Sequence, residues 1–419
     1  SWLGLSQACA RRHAHLRPIE AKTGHPVYFF LQDLLFALGG NSLTWFTLIM
    51  IVMVVSIIAC LLFTTRYLFS GRALRWARII MLLFNVIGMG WFLGRAIIYH
   101  LISGPSLIIE TVIVGFMTQL ICTGFVLVAV TIRFFWRRMM AVPVDESRRR
   151  LLSHAAVYPA VAAGLSIYGG FWERQATVER AYTIPVKGLG AGEGYRLAQI
   201  SDVHLGSFFS VAELDALLYR IAAQKPDMLT VTGDLFDDVT QNEEAARILD
   251  NYVDSFPDGI WFAFGNHEHF RGIDTIRKYL AKTRVNVLRN ESRKVPDKNL
   301  YLLGVDYPMD RPHFEAQRKN YMQQAMKNLS ADVPAILLAH HPECIDDGAA
   351  NAIALTLTGH THGSQFGFLG QPLFPVFKYT RGIVKIGNSY GYVHSGNGSW
   401  FPFRLGCPPE IAYFTLTNA

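Results

Sequence analysis

The chain has 419 residues, of which 51% are hydrophobic and only 17% are charged, and its net charge is +7. This composition is too apolar for a wholly soluble enzyme, and the length leaves room for two or three domains. Since no basic stripe is obvious in the second half, we expect no nucleic acid as partner. The apolar residues concentrate before residue 171, so we expect a membrane part followed by a soluble part.

The first part begins with a polar segment, residues 1–42, whose short apolar run 28–38 is either an interfacial amphipathic helix or a packed soluble helix. Residues 43–170 are predicted to form an α-helical transmembrane domain of about four spans, since each apolar stretch approaches the ~20 residues that a bilayer core requires. The predicted spans are 43–63, 79–102, 107–132 and 151–168.

Arginines in the connections predict the orientation of these spans. Four arginines lie between Arg66 and Arg78, and six lie between Arg133 and Arg150. By the positive-inside rule both connections are cytoplasmic, so both termini and the soluble part face outward. The stretch 147–152 resembles a twin-arginine export signal, which would add that export machinery as a partner. An ordinary positive-inside cluster is the alternative, with the same orientation.

Two charged residues, Arg95 and Glu110, stand inside the predicted spans on either side of a short uncharged connection. Charges inside a bilayer are costly and are normally paired. We therefore expect either an ion pair between them or a place where both meet a lipid head group.

A glycine-rich stretch predicts that residues 171–194 are a linker to a soluble domain, 195–419. Ser210 and Glu213 have the spacing of a capping box that opens a helix over 211–224. Alternating strand-like and helix-like runs predict an α/β sheet flanked by helices. The five cysteines form no C-x-x-C motif, and a disulfide between Cys344 and Cys407 stays open.

Polar residues of one chemical kind follow five apolar, strand-like runs in this domain. The runs are 195–200, 227–232, 259–264, 334–339 and 353–358. Each is followed by Asp, His, Asn or Glu, and the carboxyl ends of strands in an open α/β sheet line its ligand crevice. Oxygen and nitrogen donors of this kind suit divalent metals. The residues are Asp202, His204, Asp234, Asn266, His267, Glu268, His340, His341, His360 and His362.

The order D-x-H, G-D, G-N-H-E, H, G-H-x-H resembles the calcineurin-like metallophosphoesterases over roughly 190–419, and the C-terminal stretches 392–398 and 402–411 look like their YaeI-type, membrane-associated bacterial branch. The resemblance implies a sandwich of two sheets between helices, a hydrolase, and two divalent metal ions (Mn, Zn or Fe). It implies that Asp202, His204 and His362 hold one metal, that Asn266, His340 and His360 hold the other, and that Asp234 bridges them.

The resemblance also implies a mechanism, in which a metal-bridging hydroxide attacks the phosphate ester. His267 would lie just outside the metal shell and protonate the leaving group, with Glu268 orienting its ring. His340 directly follows the apolar run and is assigned as the ligand, so His341 is predicted to line the mouth of the site.

The loop 365–377 after the last metal block is too aromatic for an ordinary surface loop. It either packs on its own domain or dips into a membrane, and Gln365, Phe366 and Phe368 are candidate substrate-binding residues.

We therefore expect a membrane-anchored phosphohydrolase acting on a phosphorylated lipid or lipid-linked head group at the outer face of a bacterial cytoplasmic membrane. A hydrolase of a UDP-linked lipid-A precursor and a non-catalytic membrane sensor or scaffold are the alternatives.

Overall fold

The computed structural model describes residues 19–20, 58–59, 62, 65–66, 68–98, 106–140, 157–189, 194–206, 208–330, 333–399 and 401–418. The described residues divide into two compact units. A helical unit contains those from 58 to Arg174 together with Pro402–Leu405, and a two-sheet unit contains the others. The predicted segment 1–42, apart from residues 19–20, and the arginine motif 147–152 lie outside the described residues.

The described part of the helical unit includes the helices α1 (Gly71–Ile98), α2 (Ser106–Met140) and α3 (Val157–Ile167). Within α2, Glu110–Trp136 has a mean hydropathy of 2.2 and is the one helical stretch among the described residues that is long and apolar enough to cross a membrane. The prediction of four spans is therefore not confirmed. The first predicted span falls mostly outside the described residues, and so do residues 151–156 of the fourth, of which Val157–Ile167 is helical.

The two-sheet unit contains fifteen strands and six helices among its described residues. The strands are β1 (Ile19–Glu20), β2 (Val178–Val186), β3 (Tyr195–Ile200), β4 (Met228–Thr232), β5 (Ile260–Ala263), β6 (Asn286–Leu288), β7 (Glu291–Lys294), β8 (Tyr301–Gly304), β9 (Ala335–Leu338), β10 (Leu355–Thr358), β11 (Gly367–Phe368), β12 (Gln371–Pro372), β13 (Gly382–Ile386), β14 (Ser389–Val393) and β15 (Glu410–Asn418). The helices are α4 (Val211–Ala223), α5 (Asn242–Tyr252), α6 (Asn266–Phe270), α7 (Ile273–Leu280), α8 (Phe314–Met326) and α9 (Cys344–Ala350).

The strands form two large sheets and one small hairpin. The first sheet has the order β2-β15-β3-β4-β5-β6, and the second has the order β1-β13-β14-β10-β9-β8-β7. Strands β3, β4 and β5 run parallel to one another, as do β8, β9 and β10. Strands β11 and β12 form a separate two-stranded sheet among the described residues.

The two sheets pack face to face, and each is covered by helices on its other side. Leu197 and Trp261 of the first sheet share one core with Ile336 and Tyr392 of the second. A second core joins the first sheet to α4, α5 and α7, and a third joins the second sheet to α8 and α9. The predicted sandwich of two sheets between helices is therefore the observed fold. The capping box is also observed, since the Glu213 N–H donates to Ser210 Oγ and the Ser210 N–H donates to Glu213 Oε2.

The predicted linker, residues 171–194, is largely wrong. Val178–Val186 is strand β2, which pairs with β15 over nine residue pairs at the edge of the first sheet. Its side chains alternate between exposed and partly buried positions, which is typical of an edge strand rather than a buried one. The glycines that suggested a linker begin only after this strand, at Gly188.

Candidate metal centre

The five predicted runs end at one edge of the sandwich. Three of them are neighbouring parallel strands of the first sheet (β3, β4, β5), and two are neighbouring parallel strands of the second (β9, β10). The buried Gln199 joins the sheets beneath this edge, because its Nε2 donates to Thr232 Oγ1 (2.8 Å) and to Thr358 O (3.0 Å). The loops that follow all five strands therefore converge.

The first predicted ligand set, Asp202, His204 and His362, is assembled. The donor atoms of these three buried side chains lie within 4.8 Å of one another. His362 Nε2 lies 3.4 Å from Asp202 Oδ1 and 3.0 Å from His204 Nε2. His204 Nδ1 lies 3.2 Å from Asp237 Oδ2, so the proton belongs on Nδ1 and the lone pair of Nε2 faces the cluster.

The second set is assembled around Asp234, whose carboxylate oxygen lies within 4.8 Å of a ring nitrogen of His340 and of His360. His340 Nδ1 donates to Thr232 O (2.7 Å), which turns Nε2 toward Asp234 Oδ2, 3.0 Å away. Burial and the neighbouring His340 lower the pKa of His360 to about 3, so this imidazole is neutral at physiological pH. A neutral imidazole is the form that binds a metal.

Asp234 lies between the two sets, since its Oδ2 is also 3.8 Å from His204 Nε2. This is the place expected of a bridging carboxylate. Burial alone raises the pKa of Asp234, but His340 and His267 lower it well below its usual range, so it stays ionised. Asn266 follows Gly265 on the loop that contacts Asp234, and its buried Oδ1 accepts no hydrogen bond from the described residues.

These residues fit a pair of divalent cations. A buried amide oxygen without a donor, and an imidazole nitrogen 3.0 Å from a carboxylate oxygen, are both stabilised by positive charge beside them. Although burial lowers the pKa of His340, the carboxylates of Asp234 and Asp202 raise it to about 10. The site therefore stabilises positive charge at this position. Oxygen and imidazole donors without thiolates suit Mn, Fe or Zn.

The backbone of the ligand loops is held in an unfavourable conformation. Five of the seven predicted ligands have positive φ angles between 49° and 74°, a region that costs a non-glycine residue about 1 kcal/mol or more. They are Asp202, His204, Asp234, His360 and His362. Left-handed residues at strand ends turn the chain sharply, so that consecutive side chains point back into one crevice. Strain of this kind is typical of functional sites.

Glycines of the motifs permit close contact between loops. A Cβ at Gly265 would collide with Asp234 Oδ1, and a Cβ at Gly359 would collide with Asp202 Oδ2 and Ser201 Oγ. Both positions therefore need glycine to let a ligand carboxylate approach the neighbouring backbone.

His267 lies at the rim of the two sets and is ready to donate a proton. Its Nδ1 is 2.8 Å from Asp237 Oδ1, and its Nε2 is 4.0 Å from Asp234 Oδ2. Although burial lowers the pKa of His267, the carboxylates of Asp234 and Asp237 raise it above its usual value. The imidazolium form is therefore favoured, as a general acid requires.

Comparison with known proteins decides the family. Residues 195–364 match a family model described as calcineurin-like phosphoesterase. The chain is 30% identical over 244 residues to an uncharacterized metallophosphoesterase of Aquifex aeolicus, covering 56% of this chain and 90% of that one. It belongs to the calcineurin-like phosphoesterase family.

Two further relatives extend the comparison. The metallophosphoesterase YkuE of Bacillus subtilis is 28% identical over 291 residues, which cover 65% of this chain and 98% of YkuE. A protein of Bos taurus, named transmembrane protein with metallophosphoesterase domain, is 26% identical over 309 residues, which cover 68% of this chain and 67% of that protein. This calcineurin-like phosphoesterase is therefore a metal-dependent enzyme that hydrolyses phosphate esters, and its family uses a dimetal centre.

The predicted role of Glu268 in this phosphoesterase is wrong. Asp237, not Glu268, contacts the His267 ring. The fully buried carboxylate of Glu268 instead accepts hydrogen bonds from the backbone N–H groups of Gly265, Asp234, Leu235 and Phe236 at 2.7–3.0 Å. It joins the loop after β4 to the loop after β5, and so it holds the backbone of Asp234 and Asn266 in place.

The predicted substrate-binding residues lie in different places. His341 is buried beside His360, with ring centroids 5.2 Å apart, and burial lowers its pKa well below the usual value. Gln365 is also buried, and its Nε2 donates to Phe401 O (3.0 Å). Phe366 is partly buried against Phe374, whereas Phe368 is 66% exposed.

The side chain of Arg95 lies outside the described part of the structure, so its predicted pairing with Glu110 stays a prediction. Within the helical unit, Glu110 Oε1 forms a buried ion pair with Arg174 Nη2 at 2.8 Å. Arg174 Nε also donates to Gly170 O, which fixes the guanidinium against the turn after α3. The partner of Glu110 lies 64 residues further along the chain, so local spacing could not predict it.

Strand-end reasoning missed two residues of the site. Asp237 contacts His204 and His267. The only sequence signal for this role is the G-D-x-x-D spacing, which places Asp237 on the same loop as Asp234. Tyr307 follows β8, and its ring centroid lies 5.4 Å from that of His360. Cys344 and Cys407 are both buried, and no disulfide joins them in the described structure, which answers the question that the sequence left open.

Proposed function

We propose that this chain is a membrane-anchored dimetal phosphohydrolase that cleaves a phosphate ester of a membrane lipid or lipid-linked head group at the outer face of the cytoplasmic membrane. The observation that carries the lipid part is an exposed apolar hairpin, defined as residues 366–376, which begins four residues after the ligand His362. Its exposed fractions are 66% for Phe368, 85% for Leu369, 51% for Leu373, 60% for Phe374 and 55% for Val376.

An exposed apolar surface of this density supports contact with a membrane. Monomeric soluble proteins seldom expose contiguous apolar patches, because contact with water is unfavourable. The stretch Glu110–Trp136 supports a membrane anchor in the same chain, as does the name of the Bos taurus relative. A hairpin that enters the interfacial layer would bring lipid head groups to the loop that carries His362.

The residues of the site support the chemistry. Asp202, His204 and His362 would hold one cation, Asn266, His340 and His360 the other, and Asp234 both. Such a pair of cations lowers the pKa of water to near 7 and stabilises the charge of the phosphoryl group. Asp237 holds the His267 ring through Nδ1, which leaves Nε2 directed into the site to protonate the departing alkoxide.

Substrate preference tests the lipid part. Full-length protein in detergent with Mn²⁺ is assayed on phosphatidic acid and phosphatidylglycerol in mixed micelles, and on p-nitrophenyl phosphate and its bis-ester in solution. The double variant Phe368→Ser with Phe374→Ser should lose roughly 10-fold or more on the lipids, since burial of one phenyl group is worth about 1.5–3 kcal/mol. Its rate on the soluble esters should not change.

The matched control is Tyr219→Ser, which removes another exposed aromatic side chain, 70% exposed on α4. It should leave both activities intact. Equal losses on soluble and lipid substrates in the hairpin variant would contradict the proposal of membrane contact. For orientation, alkaline phosphatase fused to the C-terminus should be active, and an inactive fusion at normal expression would place the enzyme in the cytoplasm.

A further inference from the structure

Strand β8 ends at the same edge as the ligand-bearing strands. It runs parallel to β9, with Gly304 opposite Leu338, so the residues after Gly304 lie beside the loop that carries His340. The chain continues as Val305, Asp306 and Tyr307. A sixth strand end therefore reaches the candidate metal centre, although no predicted ligand lies on it.

Asp306 fixes this strand end from several directions. Its buried carboxylate lies 2.8 Å from His269 Nε2 and accepts hydrogen bonds from Arg289 Nε (2.6 Å) and from the Tyr307 N–H (2.9 Å). Its own N–H donates to Asn290 Oδ1 (2.8 Å). Since His269 belongs to α6, the helix that begins with Asn266, this clamp ties Tyr307 to the loop of a predicted ligand.

The clamp places the Tyr307 ring against the histidines on one side of the site. Its centroid is 5.4 Å from that of His360 and 5.9 Å from those of His340 and His341. Phe314 packs on Tyr307 at 5.9 Å and on His341 at 4.6 Å. The ring is therefore held by aromatic contacts on several sides, as a group with a fixed orientation must be.

The hydroxyl of Tyr307 has no hydrogen-bond partner among the described residues, and the side chain is only partly buried. Its ring lies against those of His340 and His360, two predicted metal ligands, which places the phenol beside the centre. The ligands around Asp234 present lone pairs, whereas a phenol offers a hydrogen-bond donor. His267 supplies a donor on the His204 side, with a ring separation of 4.4 Å, and Tyr307 lies on the His360 side.

We propose that Tyr307 contacts the substrate, its hydroxyl donating a hydrogen bond to a non-bridging phosphoryl oxygen on the His340–His360 side of the site. The proposal rests on phosphoester hydrolysis at this centre and not on the identity of the lipid. The phosphoryl oxygens gain charge as the ester bond breaks, so a donor fixed in advance stabilises the transition state. Tyr307 is thus a catalytic residue that the metal motifs do not contain.

The test compares Tyr307→Phe with Tyr301→Phe in full-length, Mn²⁺-loaded protein. Both variants remove one phenol oxygen from the same strand region, and Tyr301 lies at the opposite end of β8. Tyr307→Phe should lower kcat/KM on the bis-nitrophenyl ester by roughly 10- to 100-fold, the effect of one hydrogen bond to a charged group. Tyr301→Phe should match the wild type.

Two further readouts separate contact with the substrate from a structural role. The affinity for inorganic phosphate, measured by calorimetry, should fall about 10-fold in Tyr307→Phe, while metal content and Tm stay unchanged. On a phosphorothioate bis-ester, whose sulfur is a poor acceptor, the ratio of wild-type to Tyr307→Phe activity should be smaller than on the oxygen ester.

Unchanged phosphate affinity in Tyr307→Phe, or a loss of bound metal with it, would overturn the proposal. The outcome is independent of the lipid proposal: protein that binds phosphate but cleaves no lipid still reports on Tyr307. If the wild-type protein hydrolyses no phosphate ester, the phosphoesterase assignment is contradicted. The difference in phosphate affinity between wild type and Tyr307→Phe then tests the Tyr307 contact by itself.

Discussion

Asp237 shows how a residue outside the predicted ligand set can control the site. One carboxylate oxygen lies 3.2 Å from His204 Nδ1, and the other lies 2.8 Å from both His267 Nδ1 and Arg271 Nε. Burial raises the pKa of Asp237, but His267 and His204 lower it well below the usual range, so it remains a carboxylate. It thus orients a predicted metal ligand and the predicted general acid together.

Asp237→Asn should lower kcat by roughly 10- to 100-fold without removing the predicted ligands. Because the Asp237 carboxylate raises the pKa of His267, its loss should also move the alkaline limb of the pH–rate profile to lower pH. Asp238→Asn is the control, since Asp238 contacts only Thr240 and Gln241 among the described residues. An unchanged pH profile in Asp237→Asn would show that His267 does not depend on this contact.

The loop after β5 and helix α6 show which features of these elements could be predicted from the sequence and which could not. The clustering of the predicted ligands could be foreseen because each follows an apolar strand directly, as Asp202 follows β3 and His340 follows β9. The function of Glu268 could not be predicted, because its four partners are backbone groups on two loops. Those loops are close together only because β4 pairs with β5. Strand β2 was not predicted, because its half-polar sequence resembles that of a linker. Its pairing partner, β15, lies more than 200 residues later in the chain.

Glu268→Gln should destabilise these loops. A glutamine side chain offers one acceptor oxygen in place of two and turns an NH₂ group toward backbone N–H donors. The free energy of unfolding should fall by roughly 2–5 kcal/mol, and metal content should fall with it. Glu244→Gln on the exposed face of α5 is the control. Retained metal and stability in Glu268→Gln would contradict the structural role assigned to this carboxylate.

At the scale of the two-sheet unit, Glu410 connects the two sheets. It begins β15 in the first sheet and accepts hydrogen bonds from Arg180 Nε on β2 (2.6 Å), from Tyr392 Oη on β14 of the second sheet (2.7 Å) and from the Ser395 N–H (2.9 Å). Burial raises the pKa of Glu410, yet His394 and Arg180 lower it below the usual value.

The sign of this shift predicts a pH dependence of stability. A carboxyl group with a lowered pKa in the folded state stabilises the fold above its unfolded pKa, about 4.3 for Glu, and loses that contribution as pH falls through the folded pKa. Urea unfolding of Glu410→Gln should therefore show its largest deficit against wild type at pH 7 and a smaller one at pH 4. A deficit that does not depend on pH would mean that the charge of Glu410 contributes nothing.

We infer that seven side chains from five strand ends hold two cations. Metal content of purified protein, measured by mass spectrometry beside the rate on the bis-nitrophenyl ester, tests it most directly, with Asp234→Asn as the variant. We expect two metals per chain in the wild type, activity that a chelator removes and Mn²⁺ restores, and loss of both metal and rate in Asp234→Asn. Wild-type activity that persists without metal, or an Asp234→Asn variant with two metals and a normal rate, would contradict it.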